Sequence, residues 1–241
     1  MTISTFARRA AVSMACLATT LSGGLVFSNA PAGAASCADV EVIFARGTIE
    51  PAPPMGLTGL SFSEAVRSQL PGKTVSSYGV NYPASDQFNN RLAIANSVAV
   101  GVRSAQTRIK YLAATCPDTK IVLGGYSQGA AVAGFTTATG IDVPNEYRQY
   151  RNQVPPPLPA DVADNVSSVI LFAPPSDRFL RDIGSPAIQV DSEYRAKTKT
   201  YCIPGDNICD GSPVGQPNGL HVLYSVNGMT LDAANYVKAH L

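Results

Sequence analysis

The 241-residue chain has no tryptophan, only two histidines (His221 and His240), and charged side chains at just 15% of its positions. Each scarcity excludes something. With two histidines and no paired Cys-x-x-Cys clusters, a metal centre would have to be improvised from carboxylates, so neither a metal nor any other cofactor is expected. Basic and acidic groups nearly balance, 18 against 17, and no Lys/Arg run is long enough to leave an electrostatic footprint for nucleic acid. Low complexity is absent too. Hydrophobic residues make up 45%, and the 20 glycines and 18 prolines are scattered without a period, so the chain should fold around one sizeable core.

A long hydrophobic run is also missing. Ala10 to Val26 is apolar but shorter than the roughly 20 residues a membrane span requires, and Ser13, Ser22, Gly23 and Gly24 interrupt it. Arg8-Arg9 ahead of it and Ala32-Gly33-Ala34 behind it have the layout of a secretory signal. We therefore expect residues 1–35 to be removed as a signal peptide, leaving a single domain from 36 to 241 with 16 basic and 17 acidic groups. Export by the twin-arginine route fits the paired arginines as well. Of the five cysteines, Cys16 leaves with the signal; Cys37, Cys116, Cys202 and Cys209 remain, an even number for an oxidising compartment. Cys202 and Cys209 enclose only six residues and pair most simply with each other, which leaves Cys37 with Cys116.

Strand-like and helix-like segments alternate along the mature chain. Val40–Ala45, Thr74–Val80, Ile121–Leu123, Val169–Phe172 and Thr198–Cys202 are short, apolar or β-branched, and read as strands. Thr58–Leu70, Asp86–Ala114, Ala130–Thr137 and Leu231–His240 repeat apolar residues at helical spacing, with Gly101 a weak point in the second. This alternation predicts an α/β fold whose mostly parallel sheet is covered by helices on both faces. Gly140–Pro159 is polar, Tyr-rich and Pro-rich, and reads as a surface excursion.

Gly125-Tyr126-Ser127-Gln128-Gly129 sits between the strand Ile121–Leu123 and the helix from Ala130. A G-x-S-x-G turn at that junction lifts a serine hydroxyl clear of the sheet, and its glycines remove side chains that would collide. The helix start offers the backbone N–H of Gln128 to an oxyanion. Serine is a weak nucleophile at neutral pH and needs a base. His240 lies at the end of the terminal helix, where geometry is hard to hold; His221 follows a Gly/Pro-rich loop and is the better partner. Several aspartates lie between Ser127 and His221, and two compete to orient the imidazole. Asp177 follows the fourth strand. Asp206 follows the fifth, inside the tight Cys202–Cys209 loop that would hold a carboxylate rigidly.

Taken together, Gly125-Tyr126-Ser127-Gln128-Gly129, Ala45-Arg46-Gly47-Thr48-x-Glu50, Cys202-x-x-Gly205-Asp206-x-x-Cys209 and His221-x-x-Tyr224 resemble the cutinases, specifically the actinobacterial cutinase-like secreted esterases. The resemblance runs from about Cys37 to the C-terminus. It implies an α/β-hydrolase fold of three α/β/α layers, with Ser127 as nucleophile, Asp206 as acid and His221 as base. It also implies disulfides Cys37–Cys116 and Cys202–Cys209, and an oxyanion hole formed by Thr48, through side chain and backbone, with the N–H of Gln128. Arg46 is expected to form a structural ion pair without a catalytic role. Tyr147 and Tyr150 in the excursion suit either a flap over the acyl site or an unrelated surface loop.

The expected function is that of a secreted serine esterase cleaving short- to medium-chain acyl esters through an acyl-enzyme. It would act as a monomer on an ester or lipid substrate, with transient lipid-surface contact and no stable membrane span, free outside the cell or associated with its wall. Two alternatives stand beside it. One is a lipase or phospholipase A for longer chains, distinguished by a wider, more apolar site mouth; the other is a catalytically silent surface protein or antigen.

Overall fold

The computed structural model describes residues 37–241; the expected signal peptide, with Cys16, lies outside that range. Five strands, β1 (Val40–Ala45), β2 (Val75–Gly79), β3 (Lys120–Tyr126), β4 (Val166–Phe172) and β5 (Thr198–Tyr201), form one sheet in the order β2-β1-β3-β4-β5, and every pairing is parallel. Side chains on a strand alternate between faces, so apolar residues at consecutive positions feed two cores. Ile43, Ile121, Leu123, Val169 and Leu171 enter one core, while Val42, Phe44, Val122, Ile170 and Phe172 enter the other.

Helices α2 (Arg91–Thr115) and α3 (Gln128–Thr136) cover the first face through residues such as Val102, Ile109, Val132 and Phe135. The second face is covered by α1 (Gly56–Gln69) and α6 (Met229–Ala239), with Phe62, Val66, Ala233 and Val237 buried. The result is the three-layer α/β/α arrangement of an α/β-hydrolase. Two short helices, α4 (Asp177–Asp182) and α5 (Ser192–Arg195), escaped the sequence reading, as did 3-10 segments at Asn145–Gln153 and Ala160–Asn165. α4, α5 and Ala160–Asn165 are too short to show a hydrophobic period, and Asn145–Gln153 is polar at every position but its two tyrosines.

Gly101 does not weaken α2, which runs unbroken through it. A side chain at this position would run into Val132 of α3 and the ring of Tyr82, so the glycine lets the two helices approach closely. Both disulfides are formed, Cys37–Cys116 between the start of β1 and the end of α2, and Cys202–Cys209 just beyond β5. Among the described residues no helix is long and apolar enough to cross a membrane.

Candidate active site

The site is assembled at the C-terminal ends of the parallel strands, where open α/β sheets place their ligands. β3 ends at Tyr126 and α3 begins at Gln128, so the chain reverses at Ser127, whose φ of 55° and ψ of −118° lie in the sparsely populated region of a strained turn. The flanking glycines are a steric requirement. A side chain on Gly125 would strike the carbonyl of Gly129, and one on Gly129 would strike the backbone of Ala45 and Arg46. Ser127 is held there by its own N–H, which donates to the Phe172 carbonyl at 2.9 Å.

His221 Nε2 lies 2.9 Å from Ser127 Oγ, and His221 Nδ1 lies 2.9 and 3.0 Å from the two oxygens of Asp206. The three side chains come from positions far apart in sequence. His221 is 4% exposed and Asp206 fully buried, so little water competes for either. A buried carboxylate is tolerable only when it is paired and hydrogen-bonded. Asp206 meets that condition: besides the imidazole it accepts from the Ile208 N–H at 3.1 Å and from the Tyr224 hydroxyl at 2.7 Å. Its loop turns at Gly205, which has a φ of 91°, and is closed by the Cys202–Cys209 bridge.

Of the two competing aspartates, the fold brings Asp206 to the imidazole; Asp177 is exposed in the first turn of α4. His240 is remote from the site and stacks on Tyr236. Arg46 departs from the expected ion pair. Its guanidinium donates to the carbonyls of Gly47, Tyr82 and Pro83, because the loops around it present backbone oxygens where a carboxylate was expected.

Two tyrosines hold His221 and Asp206 in register. The Tyr126 hydroxyl donates to the His221 carbonyl at 2.6 Å, and its ring packs 5.2 Å from the imidazole. Tyr224 accepts from the Ile203 N–H at 2.9 Å while donating to Asp206. Burial pushes both phenols well above the ordinary tyrosine range, and the nearby Asp206 charge adds to it, so both stay protonated donors.

Thr48 and Gln128 also meet. Gln128 Nε2 donates to Thr48 Oγ1 at 3.1 Å and to the Ser85 carbonyl at 3.0 Å, while Gln128 Oε1 accepts from Ser97 Oγ at 3.1 Å. Because Thr48 Oγ1 accepts from the amide, its own proton is free to donate elsewhere. The Gln128 N–H, first in α3, has no partner within its helix. Glu50 fixes the same loop from the other side, accepting from the Gly47 N–H at 2.8 Å and the Thr58 N–H at 2.7 Å. This gives the Arg46-Gly47-Thr48-x-Glu50 motif a physical meaning: a threonine aimed by a carboxylate two residues on. Ser97, Ser85 and the anchoring role of Tyr126 were not found from sequence, and nothing in a helical serine such as Ser97 signals its partner.

A hydroxyl hydrogen-bonded to an imidazole that is in turn hydrogen-bonded to a buried carboxylate is the constellation of acyl transfer by a serine nucleophile. The wall beside it is apolar. Ile49, Phe88, Leu92 and Val222, all exposed, surround a cavity of about 980 Å³ that opens onto Ser127.

Known proteins share this arrangement's sequence and fold. The family described as Cutinase matches residues 36–241. "Probable carboxylesterase Culp7" of Mycobacterium tuberculosis is 42% identical over 178 residues, covering 72% of this chain and 89% of that protein. "Phospholipase Culp4" of the same organism is 37% identical over 212 residues, covering 88% of this chain and 83% of that protein. The structure of Trichoderma reesei cutinase in complex with a C11Y4 phosphonate inhibitor is 30% identical with a TM-score of 0.60, covering 84% of this chain and 76% of that one.

Proposed function

The chain belongs to the cutinase family and is a carboxylic-ester hydrolase, and from that premise we propose that Ser127, His221 and Asp206 perform the hydrolysis, with Thr48 and Gln128 stabilising the oxyanion. The observation that carries this reading is the continuous contact from Ser127 Oγ through the imidazole to Asp206, at 2.9 Å on each side. As Ser127 Oγ forms its bond to the ester carbonyl carbon, its proton passes to His221 Nε2. The carbonyl oxygen takes up the negative charge within reach of the Gln128 N–H and the Thr48 donors. The ester C–O bond then breaks, and the imidazolium returns the proton to the departing alcohol. Water repeats the sequence on the acyl-enzyme: His221 takes its proton, the acid leaves, and Ser127 is regenerated. Asp206 keeps the imidazole in the tautomer that presents Nε2 to the serine and stabilises the imidazolium, and no step calls on a cofactor.

The protein is further proposed to be exported, cut after about residue 35, and to work outside the cell as a monomer, free or associated with the wall. The two disulfides fit an oxidising compartment, and the N-terminal residue of protein recovered from culture medium checks the cut.

Fluorophosphonate labelling tests the chemistry, since it needs an activated serine. We expect one label on the oxidised protein, and neither label nor p-nitrophenyl butyrate hydrolysis with Ser127→Ala. Absence of label on folded wild type would transfer the case to a silent surface protein of the same fold.

A further inference from the structure

A threonine hydroxyl stabilises an oxyanion only when it presents its proton, and a hydroxyl rotates to suit its neighbours. At Thr48 a closed ring of hydrogen bonds fixes that choice, and it begins and ends on one residue of another loop. The Ser85 N–H donates to Ser97 Oγ at 3.1 Å, Ser97 Oγ donates to Gln128 Oε1 at 3.1 Å, and Gln128 Nε2 donates to the Ser85 carbonyl at 3.0 Å. The second proton of the same Nε2 goes to Thr48 Oγ1 at 3.1 Å.

No direction in this ring is free. A peptide N–H can only donate, so Ser97 Oγ accepts from Ser85 and its own proton points to Gln128. A peptide carbonyl can only accept, so the amide edge that faces Ser85 is Nε2 and the edge that faces Ser97 is Oε1. Nε2 carries donors alone; Thr48 Oγ1 must therefore accept, and its proton turns away from the amide. The ring is also dry. Ser97 is 1% exposed and Gln128 7%, so water is a poor substitute for a missing member. A serine within a helix commonly turns its hydroxyl to the carbonyl four residues back. Ser97, in the second turn of α2, donates across to α3 instead.

The backbone is strained where the two loops meet. Ile49 and Ala84, the neighbours of Thr48 and Ser85, have φ of 44° and 49°, a region that β-branched residues in particular avoid. The Ile49 N–H donates to the Ala84 carbonyl at 3.4 Å. Strain of this kind persists where the surroundings over-determine it, and it clusters at functional sites. Here it joins the loop that presents Thr48 to the loop that closes the ring.

We propose that Ser97 is a positioning residue for the oxyanion hole: with the Ser85 backbone it holds the Gln128 amide in the one orientation that leaves the Thr48 proton for the substrate oxygen. The inference rests on the assignment of Thr48 to the oxyanion made above. Ser97 acts through the Gln128 side chain alone, because the Gln128 N–H is fixed by the start of α3. Its removal weakens the Thr48 donor and leaves the backbone donor in place.

A double-mutant cycle tests this, with kcat and KM measured on p-nitrophenyl butyrate and fluorophosphonate labelling of every variant. Thr48→Val, which keeps the shape and removes the hydroxyl, should lower kcat about a hundredfold, as loss of one oxyanion donor does. Ser97→Ala should lower it about tenfold with KM within twofold of wild type, and Ser97→Cys, similar in size but a weaker donor, should follow in direction. In Thr48→Val/Ser97→Ala the second change should lower kcat no further, because the hydroxyl through which Ser97 acts is already gone. Circular dichroism identifies which Ser97 variants are folded. Should neither be, Gln128→Met, which removes the amide and keeps the backbone N–H, takes their place in the cycle with the same expectation. Losses that multiply overturn the proposal and make Ser97 a packing residue between α2 and α3. So does a kcat within twofold of wild type in the folded variants, or a rise in KM at unchanged kcat. An unchanged kcat in labelled Thr48→Val removes Thr48 from the oxyanion hole, and the proposal with it, while the triad stands. Failure of wild type to label removes the esterase reading itself.

Discussion

Tyr224 uses one hydroxyl twice, donating to Asp206 Oδ2 at 2.7 Å and accepting from the Ile203 N–H at 2.9 Å. Removing it in Tyr224→Phe leaves a partly buried N–H without its acceptor and takes one of the donors from a fully buried carboxylate. Stability should fall by about 1–3 kcal/mol. The rate should fall too, because Asp206 loses part of what fixes its plane against the imidazole. We expect kcat lower by roughly tenfold with KM little changed, far short of the roughly 10⁴-fold cost of disabling the carboxylate of such a triad. Steady-state kinetics with a urea melt measures both, and an unchanged kcat in a destabilised variant would reduce Tyr224 to packing. The sequence shows His221-x-x-Tyr224 as a spacing, and the family resemblance marks it, but neither says that the phenol reaches back to Asp206. Ser97 is less visible still. It supports Thr48 only through Gln128, and a chain of bonds across three elements leaves no local pattern.

Among the elements, the loop from Cys202 to Cys209 joins chemistry to covalent structure most directly. It carries Asp206 and is closed by a bridge over a sequence separation of 7, so chain entropy gives it only about 2–3 kcal/mol. The Cys37–Cys116 bridge spans 79 positions, and the same reasoning gives about 4–5 kcal/mol. The two should therefore separate activity from stability. In Cys202→Ser/Cys209→Ser we expect kcat to drop roughly tenfold or more, as the carboxylate loses the rigidity its role requires, with the smaller loss in melting temperature. In Cys37→Ser/Cys116→Ser we expect the larger melting loss and a kcat within twofold of wild type below the transition. Calorimetry and initial rates on both pairs decide it, and equal kcat in the two would deny the short bridge a positioning role. The strands themselves were legible from their apolar runs, β1 residue for residue at Val40–Ala45. The excursion was legible only as polar and Tyr-rich. Its 3-10 turns, with a period of three, are invisible to a search for helical or strand periods, and six- and four-residue helices such as α4 and α5 have no period to find.

At the scale of the molecule, near-continuous apolar strands foretold a sheet buried on both faces, whereas the order β2-β1-β3-β4-β5 depends on crossovers that sequence does not state. Both faces also bury tyrosines. Tyr82 and Tyr194 belong to one core, and Tyr126, Tyr201 and Tyr224 to the other. Burial is the largest cause raising all five phenols, with the bond from Tyr201 to Asp232 adding to its shift. In the unfolded chain they would ionise near pH 10. Below that pH both states keep these protons and the tyrosines contribute their full stability. Above it the unfolded state releases protons that the folded state retains, so stability falls as pH rises. Five such groups remove at most about 7 kcal/mol per pH unit, against a total of roughly 5–15 kcal/mol for a domain. Unfolding should therefore come within about one to three units above pH 10. An alkaline titration is the check. The buried tyrosinates should then appear in one cooperative step, coincident with the loss of near-ultraviolet circular dichroism and of esterase activity. If all ten tyrosines instead ionised together near pH 10 while the dichroism persisted, the aromatic core around the site would be open to water, and the rigid placement of Asp206 and His221 would need another cause.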